Sequence, residues 1–303
     1  EPMTYESEKI DTKAAAQTAI GPTMIVAIEQ HFSSNQRVID DPLAVEILPT
    51  VYRLIVKTMR LPMLRNWMVN VTEKQMTGIW SAMTCRKRYI DEKVIAAVQD
   101  EDSFKAIVNL GAGYDTRCYR LPDLANIPAW EVDQPVNIKA KRKGMQRAIG
   151  TLPDNITLVP INFVEQEIRT VLQEYGYHDN RKTFFIWEAV SQYLTESTVR
   201  QTFDFLSQAP AGSRLAFTYV LKDYIEGKNF YGEEAFYEQM VIKENAWHFG
   251  FEPADVAGFL DGYGWRLIED LSYAELGEQY AKPTGRNLPT MQIERMVYAE
   301  KDE

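Results

Sequence analysis

The spacing of hydrophobic residues changes near residue 100, and this change divides the chain. Residues 13–98 show no strand alternation, and Ile90, Val94 and Val98, at intervals of four, predict a helix over 89–99. Farther along, short apolar runs alternate with stretches of helical period. The strand candidates are 106–110, 129–133, 156–162, 183–190, 213–220, 265–271 and 293–300. This alternation predicts an α/β fold with a doubly wound parallel sheet, preceded by an N-terminal helical cap.

The last two strand candidates depart from this alternation. Residues 272–292, which separate them, contain two prolines and two glycines but little helical pattern. Strands joined by a loop, without a crossover helix, pair antiparallel. The sequence therefore predicts a seven-stranded sheet whose last strand is antiparallel.

A segment rich in aromatic residues, 221–252, follows the fifth strand candidate as an insertion. It contains eight aromatic side chains, and we expect it to lie over the carboxyl ends of the strands, where ligands bind in open α/β sheets. Two interpretations stay open: the insertion is a substrate lid or pocket wall, or its aromatic residues only pack it onto the domain. We therefore divide the chain into a cap (1–98) and a core (99–303) that carries this insertion.

The charge of the chain narrows its partners. With a net charge of −10 and 303 residues, the protein is a poor general binder of nucleic acid. One local basic run interrupts the acidic chain, and we interpret it as the solvated face of a helix: Lys139, Lys141, Arg142 and Lys143.

Cysteine, histidine and hydropathy point to an ordinary intracellular protein. Two cysteines, Cys85 and Cys118, do not form a disulfide scaffold and fit a reducing compartment. The three histidines do not cluster, so we expect no metal site. No apolar run approaches 18 residues and no signal segment is visible, so we expect a cytoplasmic protein without membrane contact.

A glycine pair ends the first strand candidate. The apolar run 107–110 stops at Gly111-Ala112-Gly113, and Asp133 ends the next strand candidate, 22 positions after Gly111. A strand, a glycine turn and a carboxylate about twenty residues farther on are typical of a nucleoside site. Thr116 stands where a dinucleotide fingerprint has its third glycine. A nucleoside without phosphates, such as S-adenosylmethionine, therefore fits better than a dinucleotide, although a plain strand–helix turn remains an alternative.

Several ordered motifs resemble those of the leucine carboxyl methyltransferase-like family. They span about residues 13–300 and include 110–121 (Leu-Gly-Ala-Gly-Tyr-Asp-Thr-Arg-Cys-Tyr-Arg-Leu), 130–135 (Trp-Glu-Val-Asp-Gln-Pro) and 187–195 (Trp-Glu-Ala-Val-Ser-Gln-Tyr-Leu-Thr). The resemblance implies a class I methyltransferase core with S-adenosylmethionine as the methyl donor. The bacterial branch of the family is similar to O-methyltransferases of polyketide and other secondary metabolism.

The resemblance also implies which residues hold the cofactor. Gly111, Ala112 and Gly113 would pass beside its methionine and ribose parts, and Asp133 would accept hydrogen bonds from both ribose hydroxyls. Arg86 matches the arginine that binds the carboxylate of S-adenosylmethionine.

Three more positions follow from the same resemblance, one of them with a departure. Glu188 matches a glutamate near the methionine moiety of the cofactor. Where the family usually has an aspartate facing adenine, this chain has Asn162 followed by Phe163. The change weakens the charge-assisted part of adenine binding and leaves the site in place. The family's basic residue near 16–19 has no counterpart, since Gln17 stands there.

The sequence says less about the residues that bind the methyl acceptor. His248 is a candidate general base for a phenolic acceptor, and Tyr193 a candidate wall of the acceptor pocket. The aromatic content favours a small apolar or aromatic acceptor. We expect an O-methyltransferase that acts on a carboxylate or phenolic oxygen of an aromatic or polyketide-like metabolite. Two alternatives are methylation of a protein C-terminal carboxylate and a Rossmann-like nucleotide-binding protein that is not a methyltransferase.

Overall fold

The computed structural model describes residues 19–100, 104–163 and 165–302. Expectations for residues 1–18, including Gln17, lie outside these described residues. The helices of the described chain are α1 (Ile20–Glu29), α2 (Leu43–Ile47), α3 (Thr50–Thr58), α4 (Pro62–Gln75), α5 (Ile79–Gln99), α6 (Arg117–Arg120), α7 (Pro135–Ile149), α8 (Ile168–Glu174), α9 (Glu196–Leu206), α10 (Lys222–Ile225), α11 (Glu234–Tyr237), α12 (Pro253–Asp261) and α13 (Tyr273–Leu276). The strands are β1 (Ala106–Leu110), β2 (Ala129–Asp133), β3 (Ile156–Pro160), β4 (Thr183–Trp187), β5 (Arg214–Val220), β6 (Trp265–Ser272) and β7 (Glu294–Lys301).

All seven strands form one sheet in the order β3-β2-β1-β4-β5-β7-β6. The first five strands are parallel, and every residue of β1, β2 and β4 is buried. Strands covered on both faces need continuous apolar runs, which explains why the sequence located them well. The order reverses between β1 and β4, where a crevice opens at the carboxyl ends of the strands.

The last strand is antiparallel, as predicted. β7 lies between β5 and β6 and runs antiparallel to both. The connection that precedes it is not a plain loop: α13 is followed by a π-helical turn (Gly277–Ala281) and a 3-10 turn (Lys282–Thr284). A capping box between Ser272 and Glu275 starts α13.

Two predicted strands end earlier than expected. β3 stops at Pro160 and β4 at Trp187, not at 162 and 190. After β4 the backbone turns sharply, because Ala189 has a positive φ of 59° and its N–H donates to Thr218 Oγ1. The residues beyond both strands therefore lie at the edge of the crevice.

Helices α1 to α5 precede the sheet. α5 begins at Ile79, ten residues before the predicted 89–99, and leads into β1. α4, by contrast, has no buried residue, and Met63 and Trp67 on it are more than half exposed.

The basic run on α7 is only partly solvated, so our interpretation of Lys141 is wrong. Its side chain is 1% exposed, and its Nζ lies 2.8 Å from Glu131 Oε1 on β2. A buried ammonium is tolerated where a buried carboxylate neutralises it. The other three basic residues of the run are exposed.

Within the described residues, no helix is both long and apolar enough to cross a membrane.

Candidate active site

A cavity of about 390 Å³ opens at the carboxyl ends of the central strands. Its walls come from the turns after β1, β2, β3 and β4, from α1 and α5, and from the insertion that follows β5. It brings together all the residues that the sequence singled out: Arg86, Gly111, Ala112, Gly113, Asp133, Asn162, Phe163, Glu188, Tyr193 and His248.

The glycine turn forms the floor of this cavity beside β2. Gly111 and Gly113 have positive φ angles of 73° and 43°, a region that glycine enters at little cost. The N–H groups of Gly111 and Ala112 both donate to Val132 O, at 2.8 and 3.0 Å. A Cβ on Gly111 would lie 2.3 Å from Val190 Cγ2. The turn is therefore fixed to β2 and kept clear of the β4 turn by the absence of a side chain.

Asp133 stands at the end of β2 and holds the same turn. Its Oδ2 accepts from Gly113 N at 2.7 Å, and its Oδ1 accepts from Gln134 N and Asn137 Nδ2, each at 2.7 Å. Burial raises the pKa of Asp133, and these hydrogen bonds oppose the rise. Oδ2 therefore has one acceptor position left, whereas both positions of Oδ1 are used by protein donors. The sequence did not suggest the contact with Asn137.

Asn162 and Phe163 follow β3 and line the cavity on the far side of Asp133 from β1. The N–H of Asn162 donates to Gln166 Oε1 at 2.9 Å, which fixes the turn. Both side chains are half-buried.

Glu188, directly after β4, is surrounded by cations. Arg86 Nε lies 2.8 Å from its Oε1, Arg117 Nη2 lies 3.1 Å from its Oε2, and Lys87 Nζ lies 3.6 Å from Oε1. Burial acts to raise the pKa of Glu188, but Lys87, Arg86 and Arg117 outweigh it and lower the pKa below its ordinary value. Glu188 is therefore an ionised carboxylate at neutral pH.

Arg86 is buried and engaged by the protein itself. Besides Glu188, its Nη1 lies 3.4 Å from Glu294 Oε2, and its side chain is 5% exposed. It is therefore not a surface residue, and a ligand carboxylate would share the guanidinium with two protein carboxylates.

Lys87 is a cavity residue that the sequence reasoning missed. Its side chain is 13% exposed, and its Nζ lies 3.6 Å from Glu188 Oε1, which is longer than an ordinary hydrogen bond. It therefore offers a positive charge to the cavity beside Arg86. The sequence signal was weak, since Lys87 lies within an ordinary basic run, 86–88.

Buried charges around Arg117 support Glu188, and the sequence pattern did not predict them. Arg117 is fully buried, and its Nε lies 3.1 Å from Asp115 Oδ2 and 3.4 Å from Asp91 Oδ1. Asp91 in turn pairs with Arg120. Burial opposes ionisation of Asp115, but Arg117, Lys87 and Lys141 hold its pKa far below the usual range. Asp115 and Arg117, both within the motif 110–121, thus form a fixed set of charges beneath the cavity.

The donor set of the cavity suits S-adenosylmethionine. Asp133 offers an acceptor for a ribose hydroxyl, and Arg86 and Lys87 offer cations for a carboxylate. The positive φ of the glycine turn lets a ligand approach the backbone closely. Within the described residues no group of three or more metal-ligating side chains occurs.

The opposite half of the cavity is mostly apolar. Its wall joins the turn after β4 to the insertion: His248 N donates to Gln192 O at 2.7 Å, and the rings of Tyr193 and Trp247 pack edge to face at 6.2 Å. The imidazole of His248 lines this wall and is half-buried. The other apolar side chains of this half are Met76, Ile79, Met83, Phe236, Met240 and Met291.

Solved structures with the same fold include two bacterial proteins. A protein from Thermobifida fusca YX described as a methyltransferase aligns with a TM-score of 0.57 at 12% identity, over 77% of this chain and 86% of that one. A DUF574 family protein from Streptomyces avermitilis aligns with a TM-score of 0.50 at 14% identity, over 72% of this chain and 83% of that one. At these identities the likeness shows the fold, that of a class I methyltransferase.

The names of two sequence relatives state a methyltransferase activity. YktD of Bacillus subtilis (strain 168), named as an S-adenosyl-L-methionine-dependent methyltransferase, is 28% identical over 231 residues, which are 74% of this chain and 72% of YktD. A protein of Mycobacterium avium (strain 104) with the same designation is 26% identical over 261 residues, covering 82% of this chain and 84% of its own length.

The family itself is shown by a match over more than half of the chain. The leucine carboxyl methyltransferase family model matches residues 19–207, a range that contains every predicted cofactor-binding residue. This match excludes our alternative of a nucleotide-binding protein that is not a methyltransferase. The chain belongs to the leucine carboxyl methyltransferase family and is an S-adenosylmethionine-dependent methyltransferase.

Proposed function

We propose that the protein methylates a carboxylate or phenolic oxygen of a small apolar or aromatic metabolite. The observation that carries the proposal is the shape of the cavity. One continuous space joins the glycine turn and Asp133 to the apolar wall formed by Tyr193, Trp247 and His248.

The sheet order supports a division of this space. Asp133 and Asn162 follow β2 and β3, on one side of β1, while Glu188 and the insertion follow β4 and β5 on the other side. We assign adenosine to the first side and the acceptor to the second, with the methionine part of the cofactor between them near Arg86, Lys87 and Glu188.

Methyl transfer depends more on the alignment of donor and acceptor than on reactive side chains. When bound, S-adenosylmethionine supplies an electrophilic methyl group, which an acceptor oxygen attacks in line as the bond to sulfur breaks. The chain holds the two reactants in that line, which is catalysis by proximity. A carboxylate acceptor is already ionised at neutral pH, whereas a phenol, with a pKa near ~10, gains from a base. His248 is the imidazole on the acceptor wall that would take this proton.

The residues around the acceptor favour an apolar ring system. Methionine side chains adapt to the outline of a ligand, and Met76, Met83, Met240 and Met291 lie in this half of the cavity. Tyr193, Phe236 and Trp247 offer aromatic edges and faces. We propose that segment 221–252 serves as the acceptor wall of a core that spans 99–303, with 1–98 as its cap.

Calorimetry with S-adenosylmethionine tests the cofactor half of the proposal. We expect the wild type to bind, and Asp133→Ala to lose affinity by about 10- to 100-fold, because a buried hydrogen bond to a charged group contributes about 1.5–3 kcal/mol. Asp154→Ala, at an exposed carboxylate, is the matched control and keeps full affinity. Undiminished binding by Asp133→Ala would contradict the ribose assignment.

A methyl-transfer assay tests the acceptor half. A panel of aromatic acids, phenols and peptides with free C-termini separates the proposed metabolite activity from methylation of a protein C-terminus, the second candidate, which the family name favours. Turnover of peptides alone would overturn the metabolite proposal.

We also propose a cytoplasmic location. Both cysteines, Cys85 and Cys118, are buried free thiols, which suits a reducing compartment.

A further inference from the structure

Two residues that line the mostly apolar half of the cavity each have a buried polar atom with no hydrogen-bond partner among the described residues. These atoms are the side-chain amide oxygen of Gln192 and the indole nitrogen of Trp247. Gln192 is 3% exposed and Trp247 7% exposed, and both line the cavity. Buried polar groups are nearly always paired in native proteins, and each exception calls for an explanation.

The backbone holds both residues in place. Gln192 follows Ser191, whose hydroxyl donates to Thr218 O at 3.0 Å. The indole of Trp247 packs edge to face against Phe236, with ring centres 5.2 Å apart. The bond from His248 N to Gln192 O, at 2.7 Å, ties the two segments together. Both residues are therefore held in defined positions.

We propose that Gln192 and Trp247 form a polar subsite that reads a second oxygen of the methyl acceptor. The indole N–H can only donate, so its partner must carry a lone pair. The amide can donate or accept, since the assignment of its oxygen and nitrogen ends is interchangeable. A hydroxyl satisfies both groups, because it accepts from the indole N–H and donates to the amide oxygen, whereas a carbonyl oxygen does so only if the amide is turned over. The substrate class is then an apolar or aromatic molecule that bears such an oxygen besides the one that is methylated.

This subsite would determine specificity. A site that leaves buried polar groups unpaired discriminates strongly against analogues that lack the matching group. The inference rests on the proposed function, because it assigns this half of the cavity to the acceptor. It goes beyond that function by stating what the acceptor must carry.

The first experiment needs no acceptor. Gln192→Leu removes the unpartnered amide oxygen at similar volume, so we expect the melting temperature of the protein to rise by about 2 °C. Gln173→Leu, at an exposed position on α8, is the control and leaves it unchanged. A lower melting temperature for Gln192→Leu would mean that the amide is already paired, and would overturn the inference.

The second experiment compares matched acceptors. Benzoate is paired with 2-hydroxybenzoate, and phenol with 1,2-dihydroxybenzene, and kcat/KM is measured for each. We expect the wild type to prefer the member with the second oxygen by at least about tenfold. In Gln192→Leu and in Trp247→Phe, which keeps the ring and removes the N–H, the preference falls toward one while the affinity for S-adenosylmethionine stays unchanged.

The outcomes separate the two proposals. A preference that persists in both variants, or is absent from the wild type, overturns the subsite. A wild type that binds S-adenosylmethionine but methylates no small acceptor of a wider panel overturns the proposed function. The melting comparison then still decides whether Gln192 lacks a partner.

Discussion

At the residue scale, the turn after β1 depends on the absence of a side chain at Gly111. Glycine serves two purposes there: it adopts φ of 73° and leaves room for Val190. The sequence predicted the first purpose from the Gly-x-Gly pattern after an apolar run. The second depends on a residue that follows β4, 79 positions away, so only the folded chain shows it.

Gly111→Ala tests both purposes together. We expect the free energy of unfolding to fall by about 2–5 kcal/mol, the sum of left-handed strain and overpacking, and the affinity for S-adenosylmethionine to fall more than about tenfold. Urea unfolding and calorimetry measure the two effects.

Gly285→Ala is the matched control for this change. Gly285 has a similar φ of 74° in the left-handed region, but a Cβ there meets nothing within 4 Å, so only the strain of about 1–2 kcal/mol remains. Adding Val190→Ala to Gly111→Ala should recover part of the stability. Equal losses for the two glycine variants would show that the close approach of Val190 has no effect.

At the scale of elements, the insertion after β5 supplies one wall of the cavity through residues between Phe236 and His248. Trp247 and His248 reach the turn after β4, whereas Tyr231 pairs with Asp223 within the insertion. Both interpretations of the aromatic residues therefore apply to different parts of the segment: some pack the insertion and others line the cavity.

His248→Gln tests whether the insertion contributes a base. For a phenolic acceptor we expect kcat to fall by about 10²-fold or more, the usual contribution of general base catalysis. For a carboxylate acceptor we expect little change, because no proton is removed. His178→Gln, at an exposed position before the start of β4, is the control. An equal loss with both acceptor types would assign His248 a packing role only.

At the scale of the whole molecule, some cationic side chains lie in the interior, where carboxylates neutralise them. Arg86, Arg117 and Lys141 are buried with carboxylate partners. The sequence pointed to the glycine turn and Asp133 because they follow successive strands, and the resemblance to a known family supplied the other cofactor-binding candidates. The sequence could not predict these pairs, because the burial of a charge depends on a partner from a distant element: Glu131 for Lys141, and Glu188 for Arg117. Gln192 and Trp247 were not predicted either, because the burial of their polar atoms also depends on distant elements.

Glu188 links this buried network to acid stability. Its pKa is lowered in the folded protein, so its contribution is present above the unfolded pKa, near about 4.3, and is lost only as the pH falls through the lower folded pKa. Asp133 has a raised pKa, so its ionisation lowers stability as the pH rises. Acidification to about pH 5 should therefore leave the Glu188 contribution intact.

We expect Glu188→Gln to lose about 3–5 kcal/mol of unfolding free energy, as when one partner of a buried ion pair is removed. The loss should be the same at pH 7 and pH 5, measured by urea unfolding. Glu174→Gln, at an exposed position on α8, provides the baseline. A loss that already shrinks between pH 7 and pH 5 would show that the three cations do not keep Glu188 ionised.

The position of β7 in the sheet has a consequence for the order of folding. β7 is the strand farthest along the chain, yet it separates β5 from β6. During synthesis, β5 is therefore an open sheet edge, and β6 has no neighbour until residues 294–301 have left the ribosome. An open edge is a template for pairing with another chain. We therefore expect a nascent chain in which β1 to β4 have paired, but residues 294–301 have not yet emerged, to be more prone to aggregate than the folded protein.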